Sequence, residues 1–69
     1  MIREGSKVKW KWGQGTALGE VKATYAKEVT QNIDGNEITR KGEPGNKALL
    51  IVQEDGAEVL KLESEVEKQ

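Results

Sequence analysis

The sequence predicts an all-β fold: a small closed barrel of five or six short strands, with room for one helical turn near the C terminus. Three observations predict it. First, Lys7-Val8-Lys9-Trp10-Lys11-Trp12 alternates basic and apolar residues, the period of a strand with one buried face. Second, two Asp-Gly pairs, at 34–35 and 55–56, separate strand-like runs and give the strongest short hairpin signal. Third, no stretch repeats its apolar residues at the spacing of a long helix. Closing such a sheet removes its edges, so a barrel is the economical arrangement.

The elements follow in order. Glu4-Gly5-Ser6 is a turn into a first strand over residues 7–12, whose period puts Val8, Trp10 and Trp12 on one face and three lysines on the other. Residues 13–16 read as a flexible glycine loop. A second strand covers residues 18–26, with Val21, Ala23 and Tyr25 in alternation; Leu18 is off phase and suggests a bend or bulge near Gly19. A third strand over 28–33 meets Asp34-Gly35, which suits a type I′ turn, and returns over 37–40. Its apolar content is low, so this hairpin is expected to project partly into solvent. Pro44-Gly45 fits the centre of a type II turn. Residues 48–53 form an apolar run of buried-strand length, Asp55-Gly56 turns the chain, and residues 58–62 return. Residues 62–66 suit one helical turn with Val66 folded back as a plug, and 67–69 read as a frayed tail.

Size and composition limit the function classes. With 69 residues the chain is expected to form a single domain over 1–69. It has no cysteine, so disulfides and thiolate metal sites are excluded, and a reducing, cytoplasmic location is expected. It has no histidine, which removes the commonest general base and metal ligand. No apolar run approaches the ~20 residues of a membrane-spanning helix, and Met1-Ile2-Arg3-Glu4 lacks a signal-peptide pattern. Net charge is −1, unevenly spread: residues 1–50 carry nine Lys/Arg against six Asp/Glu, and 51–69 carry two against six. The whole chain is not basic enough to imply nucleic acid, although a local basic face remains open.

Several motifs in order resemble a known family. Gly5-x-x-Val8-x-Trp10-x-Trp12-Gly13-x-Gly15, then Gly19-x-Val21, then Arg40-Lys41-Gly42-x-Pro44-x-Asn46-x-Ala48 and a closing Leu60-Lys61-Leu62-x-Ser64-Glu65-Val66 resemble the hypervirulence-associated Tudor-domain family of small bacterial and fungal proteins. The resemblance covers nearly the whole chain and implies a Tudor-like, SH3-like barrel. It implies no established activity, because the family name records an association and a fold. More loosely, Gly5-x-x-Val8 with Gly19-Glu20-Val21 resembles the opening of a KOW-type barrel, a module that often contacts RNA.

Three candidate sites compete with structural explanations. Tudor-like barrels often bind cations in aromatic cages by cation–π attraction. Here Trp10, Trp12 and Tyr25 are the only rings. Trp10 is expected in the core, while Trp12 and Tyr25, at strand ends, are expected at the rim. They would form a two-ring platform with Arg40 and Lys41 nearby, unless both simply pack. A basic face of Lys9, Lys11, Arg40, Lys41 and Lys47 with a stacking ring could hold nucleic acid. The alternative is that alternating lysines are the solvated side of an amphipathic strand. Gly13-x-Gly15-x-x-x-Gly19 only superficially matches a dinucleotide fingerprint: the spacing is one residue too long and no helix follows. Its glycines serve tight turns and close strand approach. Without His or Cys, catalysis and metal chemistry have poor support, and no cofactor is implied. The expectation is therefore a noncatalytic binding module whose partner is a protein or peptide, with a nucleic-acid-binding barrel as the alternative.

Overall fold

The computed structural model describes residues 2–69. Seven strands form in chain order: β1 (Lys7–Trp12), β2 (Gly15–Tyr25), β3 (Glu28–Ile33), β4 (Asn36–Lys41), β5 (Ala48–Gln53), β6 (Glu58–Leu62) and β7 (Glu67–Lys68). A single 3-10 turn, Glu63–Glu65, links β6 to β7, and there is no α-helix among the described residues.

The expected closed barrel of five or six strands is corrected by this arrangement. The strands divide into a five-stranded sheet in the order β6-β5-β2-β1-β7 and a separate two-stranded sheet of β3 and β4. No ladder joins β6 to β7, so the larger sheet stays open. Two local features account for this. The β3–β4 hairpin pairs only with itself; it packs against β6 without forming a ladder with it. At the end of β6, the Leu62 N–H is taken by Glu65 Oε1 at 2.8 Å, and the chain turns instead of continuing a ladder.

Turn chemistry sets each register. Residues 13–16 are not a loose loop. Trp12 pairs with Gly15 across a two-residue turn in which Gly13 has φ +58°, the first central position of a type II′ hairpin. Asp34 and Gly35 both have positive φ, 56° and 82°, as a type I′ turn demands. Asp55-Gly56 turns differently. Gly56 N–H donates to Gln53 O at 2.9 Å and Gln53 N–H to Ala57 O at 2.8 Å, so only Gly56 is left-handed in a three-residue hairpin loop.

The bulge lies at Lys22, not near Gly19: the β2–β5 register shifts between Val21 and Ala23. Val21 N–H donates to Ser6 O and Val21 O accepts from Gly5 N–H, both at 2.8 Å, which ends the β1 side of the strand there. The extra residue has a consequence for faces. Val21 opposes Ile51, whereas Ala23 opposes the adjacent Leu50. Val21 and Tyr25 therefore point to opposite faces of the sheet, despite their even spacing.

Residues 67–69, expected as a frayed tail, are instead held to β1. Val8 opposes Lys68 and Lys9 opposes Glu67, and Gln69 N–H donates to Lys7 O at 2.9 Å. The Gln69 side-chain amide adds a bond to Val8 O at 3.1 Å. The register sets Lys9 opposite Glu67, a cross-strand placement of opposite charges that suits so polar a strand.

The core lies on one face of the main sheet. Val8, Trp10, Val21, Leu49, Ile51 and Val66 form one buried cluster, with Ile2, Ala17 and Val59 against it. Val66 folds back into it across the 3-10 turn. Gly19 lets two large side chains close over bare backbone: a Cβ there would lie 2.4 Å from Ile51 Cγ2 and 3.4 Å from the Trp10 ring.

Candidate functional site

Strand parity decides where the two indoles go. Trp10 opposes Ala17 and Trp12 opposes Gly15, so both rings share the core face. Trp10 lies over the sheet interior and is 5% exposed; Trp12, at the hairpin end, is 73% exposed. Between them opens a groove of about 670 Å³. Trp10, Ala17 and Val59 supply apolar lining, Trp12 stands at its β1 end, and Gln53, Asp55 and Lys61 bring polar groups from the β5–β6 side. Gln14 and Thr16 contribute from the β1–β2 hairpin.

Of the residues expected to bind, only Trp12 reaches this groove. Tyr25 sits at the other end of β2, half-buried, on the face opposite Val21, and its hydroxyl accepts a 3.3 Å bond from Gln31 Nε2. The bulge at Lys22 and the length of β2 keep the two rings apart. Arg40 turns toward the 3-10 turn and donates from Nη2 to Glu65 Oε1 at 2.5 Å. Lys41 is exposed, opposite Glu28.

The lysines of the nucleic-acid alternative are dispersed. Lys9 and Lys11 are exposed on the face opposite the core, where Lys9 lies between Leu18 and Glu67 and Lys11 opposes Thr16. Lys7 on that face is 3.9 Å from Glu20, which is equally close to Lys22. Lys47 is half-buried, its N–H donating to Glu63 Oε1 at 2.7 Å and its carbonyl accepting from Glu63 N–H at 2.9 Å. Acidic groups thus interleave with the cations on that face, and Arg40 is already paired.

Desolvation pushes the Glu65 carboxyl upward. The Arg40 hydrogen bond, the Leu62 N–H and the charges of Arg40 and Lys61 outweigh it, leaving the pKa below the ordinary 4.5. A depressed folded value means the ionised carboxylate stabilises the fold above the unfolded pKa, and that contribution fades as pH falls through the folded one. Thermal melts as a function of pH check this: below about pH 4.5 the native chain loses more stability than Glu65→Gln. Parallel pH profiles would exclude the contribution.

Gln53, Asp55, Val59 and Lys61 went unread as groove residues. Their signal was present in the register of the second hairpin. Val59 opposes Ile51 and Lys61 opposes Leu49, which places both with the core face. That register depends on the loop length around Asp55-Gly56, and one residue of uncertainty would reverse the face.

An open groove on an all-β scaffold defines a small β-rich domain. Among the described residues no cluster of three acidic side chains could hold a metal ion, and no helix is long and apolar enough to cross a membrane. The chain belongs to the family described as hypervirulence associated proteins TUDOR domain, whose model matches residues 5–66. Searches of curated proteins and of solved structures each gave no match.

Proposed function

We propose that this domain is an interaction module that binds a segment of a partner protein at the Trp12 groove. The observation that carries the reading is the 73% exposed indole beside an apolar floor. A large ring held in water beside uncovered apolar surface gains free energy when a partner covers both. Tryptophan is also among the residues that dominate binding energy at protein interfaces. Tyr25, Arg40 and Lys41 lie outside this contact. The interleaved acids on the lysine face favour a protein partner over a nucleic acid, since phosphate binding needs cations gathered on one face. The absence of cysteine fits action in a reducing cytoplasm.

The test is a titration of isotope-labelled protein with a broad panel of short peptides. Peptides that bind shift the Trp12 indole resonance, and Trp12→Ala weakens them at least about tenfold, the order expected for an interface hot spot. The same variant costs less than about 1 kcal/mol in stability, as an exposed position should. A panel that leaves the Trp12 indole unmoved would sink the reading. Binding that instead weakens steeply with salt on an oligonucleotide, with shifts at Lys9 and Lys11, would transfer it to nucleic acid.

A further inference from the structure

The strands that line the Trp12 groove have already spent their backbone. Trp12 and Gly15 close a two-residue hairpin, so they and the pair Trp10–Ala17 exchange hydrogen bonds within the β1–β2 ladder. On the other wall, the bonds from Gln53 N–H to Ala57 O and from Glu63 N–H to Lys47 O bracket the β5–β6 ladder. With a period of two, the backbone of Val59 and Lys61 bonds inward to β5. Recognition on these walls therefore falls to side chains.

Two of those side chains carry charges of opposite sign. The ion pairs of the described residues join Lys7 and Lys22 to Glu20, and Arg40 to Glu65; Asp55 and Lys61, both in the groove lining, are in none of them. Asp55 is pinned at the start of β6, where Oδ1 accepts from Ala57 N–H at 3.0 Å. Lys61 is near enough to Glu65 to help hold its carboxyl ionised, but Glu65 Oε1 is occupied by Arg40 and by the Leu62 N–H. Glu54 and Glu58, the other acids of this hairpin, are outside the lining. Val59 stands between the two charges, on the face of Lys61. From Ala57 to Lys61 the extended chain covers roughly 13 Å. The β5–β6 wall thus has an acidic end, an apolar middle and a basic end.

We propose that the groove selects an extended segment of a partner protein with the order base–x–apolar–x–acid, read in either chain direction. The inference rests on the groove reading above and adds the partner's charge order. In an extended segment, residues i, i+2 and i+4 share one face and cover roughly 13 Å, the span from the Asp55 end to Lys61. The basic residue meets Asp55. The apolar one settles on Val59 and Trp10 beside the Trp12 ring. The acidic one meets Lys61. A bound chain that excludes water from these pairs strengthens them relative to open surface.

The probes are three pentapeptides with one apolar centre: acetyl-Lys-Thr-Ile-Thr-Glu-amide, acetyl-Lys-Thr-Ile-Thr-Lys-amide and acetyl-Glu-Thr-Ile-Thr-Glu-amide. Each is titrated into labelled native protein, Asp55→Lys and Lys61→Glu, with the Trp12 indole as readout. The native protein binds the mixed peptide tightest, by about fivefold or more, the loss expected when an attractive charge pair becomes a repulsive one. Asp55→Lys ranks the doubly acidic peptide first, and Lys61→Glu the doubly basic one. One ranking shared by all three proteins, with the indole still responding, overturns the charge order and leaves the groove contact standing. Three peptides that leave the indole unmoved also overturn it, and the groove reading is then decided by the broad panel alone. An indole resonance that shifts when the protein alone is diluted identifies a second copy of this chain as the occupant, and likewise overturns the proposal.

Discussion

Trp10→Ala lowers the unfolding free energy by about 3–5 kcal/mol. The ring is 5% exposed and packs in the one cluster that joins β1, β2, β5 and the Val66 plug. It also lies over Gly19, whose missing side chain leaves it room. Removing it opens a cavity that the opposing strands cannot fill, because each is fixed by its ladder. A domain of this size has a total stability of order 5 kcal/mol, so the variant keeps only about 0–2 kcal/mol and up to about half of the molecules are unfolded at room temperature. Urea denaturation followed by far-ultraviolet circular dichroism checks this. Trp10→Phe, which keeps a ring, provides a folded intermediate on the same scale. A loss for Trp10→Ala no larger than that for Trp12→Ala would show that the two indoles have been assigned the wrong roles.

Gly42→Ala is expected to be comparably damaging, for a different reason. Gly42 lies where the chain leaves β4 and passes between the end of β2 and the start of β5. A Cβ there would stand 2.2 Å from Tyr25 O, 2.7 Å from Ala48 N and 3.0 Å from Lys27 O. All three are backbone atoms, and Gly42 N–H itself donates to Lys27 O at 3.0 Å. Relief therefore requires moving strands, not rotating a side chain. The cost should reach or exceed the upper part of the 1–3 kcal/mol range usual for overpacking, about 3 kcal/mol or more. The β3–β4 hairpin loses its anchorage at the same time. Gly45→Ala, in the neighbouring type II turn, meets no atom within 4 Å and carries only the strain of φ +90°, about 1 kcal/mol. Thermal melts of the two variants separate close approach from backbone strain. Equal losses would contradict the packing role of Gly42.

The strands themselves were legible where turn residues have one solution. Asp34-Gly35 admits a type I′ hairpin, and β3 follows with the expected bounds. β5 was readable as an apolar run of the right length. Closure was not legible, because it depends on whether β6 finds a partner, and no residue pattern states that. The bulge was misplaced for a related reason. Leu18 simply lies opposite Lys9 on the face away from the core, whereas the true bulge at Lys22 sits inside an alternation that looks regular. That single residue separates Tyr25 from the face of Trp12 and dissolves the expected two-ring platform. Arg40 was read as a free cation because its partner, Glu65, lies 25 residues away in sequence and meets it only through the 3-10 turn. The seventh strand was hidden by charge: Glu67-Lys68-Gln69 has the composition of a tail, and its pairing is with the backbone of β1, which no residue pattern announces.

The most direct test of the account is a map of peptide-induced shifts over the two indoles and the strand amides of labelled protein. The account predicts that the Trp12 indole and the amides of Val59 and Lys61 respond together, while Tyr25 and Lys41 stay still. Shifts centred on Tyr25, Arg40 and Lys41, with Trp12 unaffected, would contradict it.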